Sequence, residues 1–183
     1  MIFDNIKEKE QPRNLKRYFL TLLIYFAVIF AVIAVDQITK MLAVKYLQPV
    51  RDFPLIDGVL HLTYAENKGA AFSILADKRW VFMLTSSIAI FFLFFFLVWF
   101  SGRIKALLGV SLAFICGGGI GNMIDRINPG YVVDFINFEL IDFAIFNGAD
   151  TFICIGAALM VLYMILYEFK TTDKKDASKK SEN

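Results

Sequence analysis

Six polar residues stand where a hydrophobic chain gives them little company: Asp36, Asn122, Asp125, Arg126, Asn147 and Asp150. Each lies at or beside the end of a long apolar run, and polar groups at membrane depth are costly enough to require a reason. For any one of them capping or snorkelling suffices, with Asp150 suited to a helix N-terminus and Asp125 able to pair with Arg126 or another base. For six at one level that account is weaker. The chemistry open to them is narrow. Serine or cysteine hydrolysis wants a base, and the single histidine, His61, sits in the alternating run His-Leu-Thr-Tyr as a satisfied strand residue would. HExxH is absent and no His/Cys/Glu cluster has metal spacing, so no metal and no other cofactor is expected. Carboxylates remain. Two Asp side chains sharing one proton can activate a water against an amide when their environments differ. Asp134, between Val132-Val133 and Phe135-Ile136, is set for desolvation, which favours its protonated form; Asp150, at a helix start, has a dipole that favours the anion. Asp142, in Leu-Ile-Asp-Phe-Ala-Ile-Phe, has an apolar setting like that of Asp134, and composition does not choose between them.

The elements that must position these residues are membrane helices. Although the 183 residues include 19 Lys+Arg and 17 Asp+Glu, four stretches hold none of them: Tyr18–Val35, Trp80–Phe100, Ala106–Gly121 and Thr151–Tyr167. A mean hydropathy of +0.61 and 20 Phe agree with lipid as the solvent. Crossing a hydrocarbon core of about 30 Å takes about 20 helical residues. The second stretch suffices alone; the third is expected to run on to Arg126 and the fourth to begin at Asn147. Basic residues before the first stretch suggest a secretory signal, but no A-x-A pattern precedes Asp36 and the leader mixes acids with bases, so an uncleaved helix is expected. A net charge of +2 gives no field for nucleic acid, and Cys116 and Cys154, inside apolar spans, read as small buried hydrophobes with free thiols.

Four spans place both termini on one side. Lys and Arg number 12 in the 38 residues of the termini and the short middle loop, against 7 in the 73 residues of the two longer loops, so the former are expected in the cytoplasm and the latter outside. The chain divides into a cytoplasmic leader (1–17), a four-helix transmembrane domain (18–167) and a Lys-rich cytoplasmic tail (168–183), read as solvated and disordered. In the first outer loop Pro49, Pro54, Gly58 and Gly69 are punctuation, and Gly58–Tyr64 alternates as a short strand of a β-ribbon on the membrane surface. Gly130–Phe138 is a second strand-like piece, followed by a short amphipathic segment to Phe146. The expected fold is thus all-α in the membrane, four transmembrane helices with a small extracytoplasmic β-ribbon and a short surface helix.

Five motifs lie in order along this layout: DQITK at Asp36–Lys40, NKGAAFS at Asn67–Ser73, GNMIDR at Gly121–Arg126, GYVVDFINF at Gly130–Phe138 and FNGAD at Phe146–Asp150. In these the sequence resembles the lipoprotein signal peptidase (signal peptidase II) family of bacterial membrane aspartyl proteases. The resemblance implies catalytic roles for Asp134 and Asp150 and supporting, substrate-binding roles for Asp36, Asn67, Gly69, Asn122, Arg126 and Asn147, with Arg126 holding substrate backbone and small Ala70 and Ala71 beside Gly69. It implies an endopeptidase that cleaves before the diacylglyceryl-cysteine of a prolipoprotein, in the bacterial inner membrane, with its site at the outer leaflet. A monomer is expected, with the modified prolipoprotein and membrane lipid as partners. Glu139–Ile145 lies outside the matched motifs. A small proton- or ion-coupled transporter is the competing reading, weakened because the middle of every span is apolar.

Overall fold

The computed structural model describes residues 15–69 and 79–181. Its elements, in chain order, are helix α1 (Leu15–Leu42) with a π-helical turn (Ala43–Leu47), strands β1 (Asp52–Ile56) and β2 (Leu60–Asn67), helices α2 (Arg79–Phe100) and α3 (Ala106–Ile127), strand β3 (Val132–Asn137), a 3-10 turn (Glu139–Ile141) and helix α4 (Gly148–Ser181). Among the described residues four helical segments are long and apolar enough to cross a membrane: Leu15–Leu47, Met83–Phe100, Ala106–Ile127 and Gly148–Tyr167. The ends of α3 and α4 fall within a residue of those expected.

Helix α3 is the centre of the bundle. Its Leu108, Leu112, Ala113 and Cys116 form one buried cluster with Tyr25 and Ile29 of α1 and Leu97 of α2. A run such as Gly117-Gly118-Gly119 makes a poor helix in water. In lipid the backbone must satisfy its own hydrogen bonds, so the helix is kept and the missing side chains allow close approach. A β-carbon at Gly118 would collide with the Ala149 carbonyl of α4, and one at Gly156 of α4 would come within 2.7 Å of the Ser111 carbonyl of α3. The outward faces are apolar, with Phe91, Phe95 and Trp99 of α2 stacked at four-residue spacing and each more than half exposed, as lipid contact requires.

The strands form one antiparallel sheet in the order β1-β2-β3. Pro54, read above as punctuation, lies inside β1; the strand is at the sheet edge, where a missing N–H forfeits little. On β3 the two-residue alternation sends Val133 into a cluster with Ala43, Leu47 and Tyr64 under the π-helical turn, and turns Asp134 to the opposite face, toward the helices. The segment after β3, expected to hold a short surface helix, forms only the three-residue 3-10 turn Glu139–Ile141 before Phe146 rejoins the sheet.

Three other expectations need correction. The first helix does not end near Asp36 but continues for two more turns. Tyr25, Ile29, Val32, Asp36 and Lys40 make one buried stripe at three- and four-residue spacing, and the acid and base in it compensate each other. The tail is helical as far as Ser181, since its Lys, Glu, Asp and Ala residues after Tyr167 contain no Gly or Pro to stop α4. Cys154 is exposed, on the lipid side of α4, while Cys116 is buried as expected. Ala70 and Ala71 lie outside the described residues.

The close contact of α3 with α4 gives a test. Gly118→Ala sets a methyl against backbone that cannot step aside, and is expected to cost about 1–3 kcal/mol in thermal unfolding in detergent. Gly119→Ala, which meets only the Ile90 side chain at 3.0 Å, is expected to cost less.

Candidate active site

The site lies where the C-terminal ends of α1 and α3 meet the start of α4 and the inner face of β3. Its base is the ammonium of Lys40, only 3% exposed, which contacts Asp36 Oδ2 at 2.9 Å, Asp125 Oδ2 at 3.0 Å and Asn122 Oδ1 at 2.9 Å. These three acceptors exhaust its N–H donors. Each acceptor passes the constraint on. Asp36 Oδ1 accepts the Ala149 N–H at 2.9 Å, in the first turn of α4; Asp125 Oδ2 accepts the Val133 N–H at 3.2 Å, next to Asp134; and Asn122 Nδ2 donates to Asp150 Oδ1 at 2.7 Å. Gln37 Nε2 closes the base by donating to Asp125 Oδ1 at 3.0 Å. Gly121 has no side chain because a β-carbon there would collide with Asp36.

Asn147 joins the two candidate aspartates. Its Oδ1 accepts the Asp150 N–H at 3.0 Å while its own N–H donates to Asp150 Oδ2 at 3.3 Å, a reciprocal capping box that starts α4. Its Nδ2 donates to Asp134 Oδ1 at 2.7 Å and to Asn122 Oδ1 at 3.0 Å. Because Lys40 and Asn147 are both donors aimed at one atom of Asn122, that atom must be its oxygen, and its amide nitrogen necessarily faces Asp150. Asp134 is 2% exposed and takes a second bond from Asn67 Nδ2 at 3.0 Å. The sheet register makes this possible: Asp134 lies opposite Ala65, and Asn67, two residues on, is its diagonal neighbour on the same face. Asn67 is held in turn by the N–H of Gly69 at 2.9 Å, a residue whose φ of +94° favours glycine.

Of the residues singled out in the sequence, the structure brings together Asp36, Asn67, Gly69, Asn122, Asp134, Asn147 and Asp150. Arg126 is beside them, half-buried, its Nη1 donating to the Asn122 carbonyl at 3.1 Å. Asp142 is excluded: it is exposed and in a left-handed conformation at the end of the 3-10 turn, so its apolar sequence neighbours do not bury it. His61 is elsewhere on the sheet. The other base for Asp125 proves to be Lys40, not Arg126. Sequence reasoning missed Lys40 and Gln37 as parts of the site. The available signal was the four-residue spacing of Asp36 and Lys40, an acid and a base on one face of an otherwise apolar helix. Among the described residues no group of three or more His, Cys, Asp or Glu is arranged to hold a metal ion.

The two carboxyls differ in setting. Burial pushes Asp134 up to about 6, helped by the nearby charge of Asp150 and opposed by its bonds from Asn67 and Asn147. Asp150 has the Asn122 amide and the first-turn backbone around it. An acid raised in the folded state stabilises the fold below the ordinary carboxylate range, and that contribution is lost as the pH rises through the raised value. Infrared spectroscopy is therefore expected to show a protonated-carboxyl C=O band at pH 5 that titrates away near pH 6 as one step of the coupled pair, and that is missing in Asp134→Asn.

Four helices long and apolar enough to cross a membrane, with two carboxyls of unlike environment brought together at one end of the bundle, describe a multi-pass membrane protein with a buried polar site. The chain belongs to the signal peptidase II family of proteases: the family profile described as Signal peptidase (SPase) II matches residues 28–166. It is 40% identical to a lipoprotein signal peptidase of Halalkalibacterium halodurans over 85% of this chain and 100% of that one. With the lipoprotein signal peptidase of Brevibacillus brevis the identity is 41%, over 78% of this chain and 95% of that one. Among solved structures it resembles a bacterial membrane enzyme determined by the in meso method at 2.3 Å resolution, with a TM-score of 0.70 and 30% identity over 78% of this chain and 87% of that one. It is accordingly a multi-pass bacterial membrane protein.

Proposed function

We propose that this protein is the endopeptidase that removes the signal peptide from lipid-modified prolipoproteins, cutting before the diacylglyceryl-cysteine with an Asp134/Asp150 dyad and neither metal nor cofactor. The observation that carries this reading is the pair of aspartates joined through one amide, Asn147, with one carboxyl buried to a value near 6 and the other capping a helix. In this scheme ionised Asp150 takes a proton from a water, whose oxygen adds to the scissile carbonyl carbon while protonated Asp134 gives its proton to the carbonyl oxygen. Collapse returns that proton to Asp134, breaks the C–N bond, and passes the proton on Asp150 to the departing amine. Arg126 and Asn67 border the place where an extended substrate backbone would lie. A monomer acting at the outer leaflet suits a substrate whose signal helix and acyl chains already lie in the bilayer.

The test is incubation of the detergent-purified protein with a diacylglyceryl-modified prolipoprotein, scored by release of the signal peptide. Asp134→Asn and Asp150→Asn are each expected to lower turnover by a factor of about 10³ or more while still inserting and purifying, and the double variant to be hardly worse. Asp142→Asn is expected to keep most of the activity. An inactive Asp142→Asn beside an active Asp134→Asn sinks the assignment.

The positive-inside count supports cytoplasmic termini and an outward sheet. In a chain without its native cysteines, a single cysteine at exposed Asp57 is expected to react with an impermeant thiol reagent in intact cells. One at exposed Arg103 is expected to be shielded, and the reverse pattern would invert the topology.

A further inference from the structure

The only histidine of the chain stands outside the site just described. His61 is on the middle strand β2, and its ring lies between carboxylates from two other elements: Nδ1 is 2.9 Å from Asp52 Oδ2 on β1, and Nε2 is 2.7 Å from Glu139 Oε2 in the 3-10 turn. Asp52 is further held by the Thr63 hydroxyl at 2.5 Å. Glu139 opens the stretch of chain that leaves the sheet after Phe138 and rejoins it at Phe146, whose backbone pairs with Ile136 before the chain enters Asn147. Within that stretch Leu140, Ile141 and Phe143 are more than half exposed, and the backbone bond that ties it to the sheet, Leu140 N–H to the Val59 carbonyl, is long at 3.5 Å. The contact of Glu139 with His61 is far closer.

A neutral imidazole has one N–H and cannot donate to two carboxylates at once, so both contacts require the cation. When the ring loses a proton, one carboxylate must face a lone pair. The structure indicates which one: the Gly58 N–H stands 3.3 Å from Nε2, a donor in waiting for the lone pair on the Glu139 side. We propose that His61 is a proton-operated latch on residues 139–145. As the cation it holds Asp52 and Glu139 together and pins the stretch to β2. On giving up its Nε2 proton to solvent it keeps Asp52 through Nδ1–H, turns its Nε2 lone pair to Gly58 and lets Glu139 go.

The charged groups that face His61 are Asp52 from β1, Glu139 from the 3-10 turn and Asp57 from the β1–β2 turn; opposite it on β3 is Asn137, which carries no charge. All three are acidic, and they hold the imidazolium above the ordinary histidine range, the bond to Asp52 contributing most. The latch is therefore closed below about pH 6.5 and opens as the pH rises through the raised value. The stretch it holds links the strand of Asp134 to the cap of Asp150, so its release loosens the chain that spans them. That consequence for cleavage rests on the proposed dyad; the latch itself does not.

The test uses the full chain in detergent micelles. With one histidine, selective isotope labelling gives a single imidazole signal in NMR, expected to titrate above pH 6.5 and to show the Nδ1–H tautomer once neutral. In Glu139→Ala the titration is expected to move down. Hydrogen exchange of residues 139–145, corrected for the intrinsic effect of pH, is expected to lose protection about fivefold between pH 6 and 9 in the wild type. In His61→Gln and Glu139→Ala it is expected to be low at both. An unchanged titration in Glu139→Ala, or the wild-type pH dependence of exchange in either variant, overturns the proposal.

Discussion

Taking the ammonium of Lys40 out of water costs several kcal/mol unless each of its N–H groups finds an acceptor, and the ends of two helices are arranged so that each does. Its three acceptors are also the three supports of the site. Through Asp36 it fixes the first turn of α4, through Asp125 the strand beside Asp134, and through Asn122 the orientation of Asp150. An ion cluster of this kind adds little net stability compared with an apolar core. In the observed register of α1 against α3 the Lys40 charge meets Asp125 and Asn122 of α3 as well as Asp36 of its own helix.

The remainder of the architecture serves to bring helices close enough for such short side chains to meet. Asp and Asn reach only a few ångströms from their backbones. The glycines of α3 let α4 approach to backbone contact, and Gly121 leaves room for Asp36. Distance within the site is thus set by missing side chains at the helix interfaces.

The spans, the β2 and β3 strands and the polar ends of the third and fourth helices were legible because each rests on local patterns: absence of charge over a helix length, two-residue alternation, and the length an apolar run needs to cross a bilayer. What was not legible rests on tertiary compensation. Asp36 reads as the end of a span until Lys40 is seen to share its buried stripe. Pro54 reads as a break until its strand is seen to be at an edge. Asp142 and Asp134 have equally apolar neighbours in sequence, and only the paths of the chain bury one and expose the other.

Asn147 both starts α4 and joins the two aspartates, and this ties the appearance of the site to the order in which the chain is made. A ribosome-bound chain with three spans inserted already has Asp36, Lys40, Asp125 and Asn122, which can neutralise and hold one another. It has Asp134 on its strand, yet neither the bridging amide nor the second carboxyl. No stage of biogenesis before the fourth helix begins brings both carboxyls together, so the proposed pair is assembled only when the last span is made.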